Sequence, residues 1–210
     1  MIDDQSNIDS LMQQITGKDP DLVEFRIDRL HERKLLEEVA KRKSCRLIAT
    51  DRSDRSQARK LETLSNAVSV GFDLVDVDFS ATDPATVERL KSQGAEVILS
   101  SHDYSKTPPR DELSRILEAE KRLGGDICKL VTTARNQRDN LVILGFVANE
   151  ATNTRLVSFA MGREGVTSRI LSPMFGAEFT FAALSKESGT ADGQLSIEEL
   201  RSAWQILGIQ

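Results

Sequence analysis

Two side chains in this sequence sit where ordinary packing would not put them. Lys129 stands in the middle of "DICKLVTTA" (126–134), a run of apolar and β-branched residues flanked by a Gly-Gly pair and the polar "RNQRDN". Such a run reads as a buried strand of a parallel sheet. Burying an ammonium ion is costly unless it is paired or gives up its proton. Apolar walls favour the neutral amine, whose lone pair can attack a ketone. His102 lies in "VILSSHDYSKTP" (97–108), where an apolar strand gives way to Ser-Ser-His-Asp and a proline-containing loop. An imidazole titrates near neutral pH, so it can act as general acid and general base in one cycle. On successive strands, the amine and the imidazole each give the other a reason to be there.

Further polar residues stand in or at the ends of other apolar runs. Glu24, Arg26 and Asp28 alternate in "DLVEFRID" (21–28), the spacing that points them to one face of a strand. Such a face binds something polar or forms an internal ion network. Arg52 follows "LIATD", and Asp76 and Asp78 alternate in "VDVDF", placed to neutralise Lys129 or to hold the arginines. In "MGREGVTSR" (161–169) a strand ends in Met-Gly and a glycine-containing loop leads to a helix that Ser168 and Arg169 are expected to open. A helix N-terminus with an arginine beside it suits a carboxylate. Gln194, in "TADGQLS" (190–196), falls in a loop able to close over a ligand. His31 lies in the charge-rich "RLHERKLLEE" and reads as solvated. Two carboxylates and a histidine would suggest a metal, but a second suitable histidine and a recognisable ligand spacing are both missing, so no metal is expected.

Elements that could hold these residues succeed one another regularly. Seven apolar runs, at 21–28, 45–51, 72–79, 95–103, 126–134, 155–162 and 179–184, alternate with segments of helical spacing such as "SQARKLETLSNAVSVG" and "PRDELSRILEAEKRLGG". "TDPATVERL" and "LSIEELR" carry helix-start signals, and Gly94, Gly124 and Gly208 mark helix ends. This alternation means parallel strands with crossover helices. No glycine-rich phosphate loop succeeds the first strand, as a dinucleotide-binding sheet would show. Polar residues at the ends of many strands suit a (β/α)8 TIM barrel, whose site collects side chains at its C-terminal mouth. The expectation is one barrel domain over residues 1–210. Only Met1 and Ile2 precede the helix "SNIDSLMQQITG", so the first strand is expected to be truncated or missing.

The composition fits a soluble cytoplasmic protein: 39% hydrophobic and 29% charged residues in 210. A formal net charge of −5 argues against nucleic acid or an anionic membrane as partner. No apolar stretch approaches the ~20 residues that span a bilayer, and the polar start "MIDDQSNIDS" is no secretory signal. Cys45 and Cys128 both fall in apolar runs and are expected to be reduced core residues.

Taken in order, these segments resemble the type I 3-dehydroquinate dehydratases of the shikimate pathway, in the compact form found in archaea. The resemblance runs from about residue 20 to 207 and rests on "DLVEFRID", "ATDRS", "VDVDF", "LSSHDYSKTP", "CKLVTTA", "MGREGVTSR", "FGAEFTFA" and "DGQLSIEELR". It implies that Lys129 forms a Schiff base with the ketone of 3-dehydroquinate. It also implies that His102 removes the C2 proton, protonates the departing hydroxyl and assists imine formation and hydrolysis. Glu24, Arg26 and Arg52 would hold substrate hydroxyls and Arg169 the carboxylate. Gln194, with Thr190 or Ser188, would close over the site, and Met161 and Phe181 would line it. No metal or cofactor is implied, and a homodimer is. The chain departs from the family where "RSDRSQAR" (52–59) replaces the usual Glu-Gly-Gly after the arginine, and where Ala-Asp-Gly-Gln (191–194) replaces Pro-Gly-Gln. Alternatives are a class I aldolase or transaldolase, whose chemistry needs the same imine, and a barrel that binds without turnover.

Overall fold

The structure is a computed structural model that describes residues 5–30, 33–185 and 193–208. Within these, six strands and eight α-helices alternate: α1 (Gln5–Lys18), β1 (Leu22–Arg26), α2 (Arg33–Lys41), β2 (Arg46–Thr50), α3 (Gln57–Val70), β3 (Leu74–Asp78), α4 (Pro84–Ser92), β4 (Glu96–His102), α5 (Arg110–Leu123), β5 (Ile127–Thr133), α6 (Asp139–Glu150), β6 (Leu156–Met161), α7 (Val166–Leu171) and α8 (Ile197–Leu207). The chain divides into two compact units, residues 1–99 with 123–126 and residues 100–122 with 127–210, and β4 runs from the first into the second.

In the first unit β1 pairs in parallel with β2, bringing Glu24 opposite Ile48, and β2 with β3, bringing Thr50 opposite Asp76. Leu47, Ile48, Ala49 and Thr50 are all buried, as expected of a parallel strand covered on both faces. In the second unit β5 and β6 pair in parallel from Cys128–Leu156 to Thr133–Met161, with Lys129 opposite Val157. Leu117 of α5, Leu130 of β5, Ile143, Phe146 and Val147 of α6 and Leu156 of β6 form its core. Complete burial of each such side chain contributes about 1.5–3 kcal/mol.

The helix signals act as expected. Asp83 accepts from Thr86 N–H (2.7 Å) ahead of α4, and Ser196 and Glu199 make a reciprocal capping box at the start of α8. Gly94, Gly124 and Gly208 stand just beyond α4, α5 and α8. Four expectations are revised or left aside. The run 179–184 is not a strand; its backbone makes a single isolated parallel bridge, Ala183 to Ser196, and its rings pack on one another instead, Phe179 against Phe181 at 5.5 Å. Cys128 is buried and Cys45 only half-buried, and both are free thiols. The first element of the described residues is α1, with Met1 and Ile2 outside them. His31 also lies outside them.

Candidate active site

Lys129 projects from the middle of β5 and is 5% exposed, with its Nζ 4.2 Å from the centroid of the Phe181 ring. The face of an aromatic ring is its negative side, so a nitrogen cation seated there is attracted by about 0.5–2 kcal/mol. The segment 179–184 thus contributes a ring to the lysine rather than a rung to a sheet.

His102 ends β4, and β4 lies beside β5: the Asp103 N–H donates to the Val131 carbonyl (2.9 Å). The turn after the histidine is tightly tied. Asp103 Oδ1 accepts from the Ser105 N–H (2.8 Å), the Ser105 hydroxyl (2.6 Å) and the Lys106 N–H (3.0 Å). The Thr133 hydroxyl donates to the Asp103 carbonyl (2.9 Å). Burial opposes the charge on Asp103, but the Ser105 hydrogen bonds outweigh it and hold the carboxyl below its ordinary value. Just before the histidine, the Ser101 hydroxyl donates to Oε1 of the fully buried Glu120 on α5 (2.6 Å). Burial, together with Glu120, pushes the nearby Cys128 thiol up to about 12, which keeps it an unreactive neutral group. The imidazole stacks on Tyr104, with ring centroids 5.7 Å apart and planes inclined by 12°. Beside it opens a cleft of about 340 Å³ on the α5 side of the strands, walled by Tyr104, Pro108, Leu113, Ile116 and Thr132. Lys129 faces Phe181 and does not line this cleft.

Arg169 is a second electrostatic anomaly of this unit. It is 2% exposed, and among the described residues no carboxylate pairs with it. Its Nη1 donates to the Phe181 carbonyl (3.2 Å), its Cζ lies 4.2 Å from the Phe159 ring centroid, and its buried Nε has no partner among the described residues. Burial alone pulls the guanidinium down to about 10. A buried cation without a counter-charge is costly unless something anionic arrives to pair with it. The helix-terminus part of the expectation needs revision. Ser168 and Arg169 lie in the third and fourth positions of the six-residue α7, and the Ser168 N–H is already taken by Asn140 Oδ1 (2.9 Å). An anion here is met by the side chain, not by helix amides.

Gln194 comes directly after Gly193, which has φ +73°, and a Cβ on that glycine would come within 2.4 Å of the Gly162 carbonyl oxygen. Only glycine lets this segment lie so close to the end of β6. Met161, the last residue of β6, is half-buried. Thr190 and Ser188 lie outside the described residues.

The first unit holds the remaining polar residues, and here they pair with one another. Arg26 grips Asp28 with two hydrogen bonds, Nε to Oδ1 (2.9 Å) and Nη2 to Oδ2 (2.8 Å). The hydrogen bond to Asp28 raises the guanidinium, and burial is outweighed by Arg26 in holding the Asp28 carboxyl below its usual range. Asp28 stands just beyond β1 in a short 3₁₀ turn rather than on the strand. Glu24 accepts from the Thr50 hydroxyl (2.6 Å) on the adjacent strand. Arg52 reaches Asp76 (2.6 Å), whose side chain is 0% exposed, and comes within 3.9 Å of Asp78. Burial weakens the Arg52 charge, but Asp76 and Asp78 more than restore it and raise the guanidinium overall. These contacts fill one of the two roles open to the aspartates, that of holding an arginine. No cluster of three or more metal-ligating side chains occurs among the described residues.

Sequence reasoning missed Phe159 and Asn140. Phe159 reads as an ordinary core residue of an apolar strand, and Asn140 as part of the polar run "RNQRDN". A histidine and a buried lysine on neighbouring strands, with a buried arginine that no carboxylate pairs among the described residues, can form an imine, move a proton and bind an anion.

A family model described as "Type I 3-dehydroquinase" matches residues 1–210. The 3-dehydroquinate dehydratase of Pyrococcus abyssi is 36% identical over 210 residues, covering 96% of this chain and 94% of the relative. That of Methanosarcina barkeri is 35% identical over 207 residues, covering 89% and 85%. Among solved structures, 3-dehydroquinate dehydratase from Geobacillus kaustophilus superposes with a TM-score of 0.89 at 23% identity, covering 99% of this chain and 88% of that one. The fold class is the (β/α)8 barrel of those enzymes.

Proposed function

Because the chain belongs to the type I 3-dehydroquinase family, we propose that Lys129 is its Schiff-base amine and His102 its general acid and base. The enzyme is a hydro-lyase that converts 3-dehydroquinate to 3-dehydroshikimate in the shikimate pathway, which supplies aromatic amino acids. In this reading Lys129 Nζ adds to the substrate ketone and expels water to give a protonated imine. The imine nitrogen is an electron sink, so the C2 proton becomes acidic and His102 removes it. The same imidazolium then gives its proton to the departing C1 hydroxyl, a second water leaves, and hydrolysis of the imine takes one water up again. One molecule of water is lost in all, and Lys129 and His102 end as they began. The Phe181 ring under Nζ offers its negative face to the iminium charge.

Arg169 takes the substrate carboxylate, which supplies a counter-charge that none of the described residues provides. Glu24, Arg26 and Arg52 hold hydroxyls, while Gln194 and Thr190 close over the ligand. Residues 1–210 act as one catalytic domain of a cytoplasmic homodimer on a free small molecule, without nucleic acid, membrane or cofactor. The net charge of −5 supports the exclusion of polyanionic partners.

A single observation carries this reading: one unit holds a buried amine on a ring face and a buried guanidinium without a carboxylate among the described residues. Incubation with 3-dehydroquinate should raise the absorbance of the conjugated enone. Borohydride added during turnover should fix an adduct that peptide mass spectrometry finds on Lys129. Lys129→Ala should lower kcat on the order of 10⁴-fold or more. An adduct on another residue, or a Lys129→Ala enzyme with full activity, overturns the assignment.

A further inference from the structure

Asn140 is the second residue of α6 and is 2% exposed, an unusual depth for a side-chain amide. Each end of that amide is used. Nδ2 donates to the Gln137 carbonyl (3.0 Å) and the Glu164 carbonyl (2.6 Å), while Oδ1 accepts from the Ser168 N–H (2.9 Å). One side chain therefore ties three segments: the start of α6, the 3₁₀ turn 163–165 and the short α7 that carries Arg169. A six-residue helix has little stability of its own, and its early N–H groups lack intrahelical partners. Asn140 supplies the partner for one of them. Ser168 extends the tie by donating from Oγ to the Gly165 carbonyl (2.8 Å) and accepting from the Ala160 N–H of β6 (3.0 Å). Gly165 itself lies so close to β6 that a Cβ there would meet the Ala160 oxygen at 2.4 Å.

The guanidinium is thus fixed at both ends, its backbone by the Asn140–Ser168 network and its head by the Phe159 ring and the Phe181 carbonyl. We infer that Asn140 is a positioning residue for recognition of the substrate carboxylate, acting through α7 on Arg169 without touching substrate. The inference rests on the carboxylate role proposed for Arg169. A shift of α7 by a fraction of an ångström moves a buried cation that no carboxylate pairs among the described residues, and so weakens anion binding while leaving the chemistry at Lys129 in place.

Asn140→Asp tests this with almost no change in size, since it sets an oxygen against the Gln137 and Glu164 carbonyls where Nδ2 now donates. KM for 3-dehydroquinate should rise on the order of tenfold to a hundredfold, with kcat within about threefold of the wild type. A merely structural role would not move the second readout, the preference for 3-dehydroshikimate over its neutral carboxamide as competitive ligands. Wild-type protein should favour the acid, and in the variant the ratio should fall toward one. Asn140→Ala provides the same measurements if the aspartate variant does not fold. An unchanged acid-to-amide ratio, or failure of both variants to fold, overturns the proposal. Absence of turnover by the wild-type protein would instead sink the catalytic reading, and the ligand ratio would still judge Asn140.

Discussion

The cations of the two units are held in contrasting ways. In the first, arginines meet carboxylates: Arg26 grips Asp28 and Arg52 reaches the fully buried Asp76. In the second, where surface cations such as Arg155 also meet carboxylates, the two buried ones rest on rings: Lys129 over Phe181 and Arg169 over Phe159, with no carboxylate on Arg169 among the described residues. A guanidinium that already has its carboxylate is a rigid, neutralised donor, suited to hydroxyl groups that bring no charge. A guanidinium supported by a π face and a carbonyl keeps most of its charge uncompensated, and an arriving carboxylate recovers the cost of burying it. The same residue type therefore serves two purposes, and the difference lies in whether the protein or the ligand brings the negative partner.

That contrast can be broken most directly by removing each arginine in turn. Arg52→Met strips Asp76 of its arginine and should destabilise the fold by about 3–5 kcal/mol, read by urea denaturation. A loss below about 1 kcal/mol would place the pair among ordinary surface ion pairs. Arg169→Met should do the reverse. The melting temperature of ligand-free protein should hold or rise, because an uncompensated buried charge is gone. KM for the carboxylate substrate should increase on the order of a hundredfold. A steep fall in melting temperature would mean that the ring and the Phe181 carbonyl already satisfy this side chain. The smallest effect concerns Asp28. Its folded-state carboxyl is held below the unfolded value, so the ion pair stabilises fully above pH ~4 and ceases to do so as pH falls through the lower folded value. With Arg26 partly exposed, Asp28→Asn should cost about 1 kcal/mol at neutral pH and nothing near pH 2, which acid titration of unfolding would resolve.

Lys129 and His102 were legible in the sequence because their oddity is local: a charge inside an apolar run and an imidazole at the point where such a run ends. Helix limits were equally legible, since caps and glycine stops act over a single turn. Partners were not. Alternation put Asp76 and Asp78 on a face without saying which cation they meet, and Arg52 emerged only once β3 was laid beside β2. Asn140 looked like one more polar residue before a helix, yet its amide is buried by the packing of α6 against the turn and α7. Phe159 looked like strand core, although its ring carries a guanidinium. The alternating aromatics of 179–184 suggested a strand by period, but their rings are spent on Lys129 and on each other, and the backbone pairs only at Ala183. Contacts between distant segments decided every one of these cases.

Gly193, pressed onto the carbonyl of Gly162, sets the origin from which Gln194 reaches. A side chain at position 193, even a methyl, would lift the glutamine off its anchor.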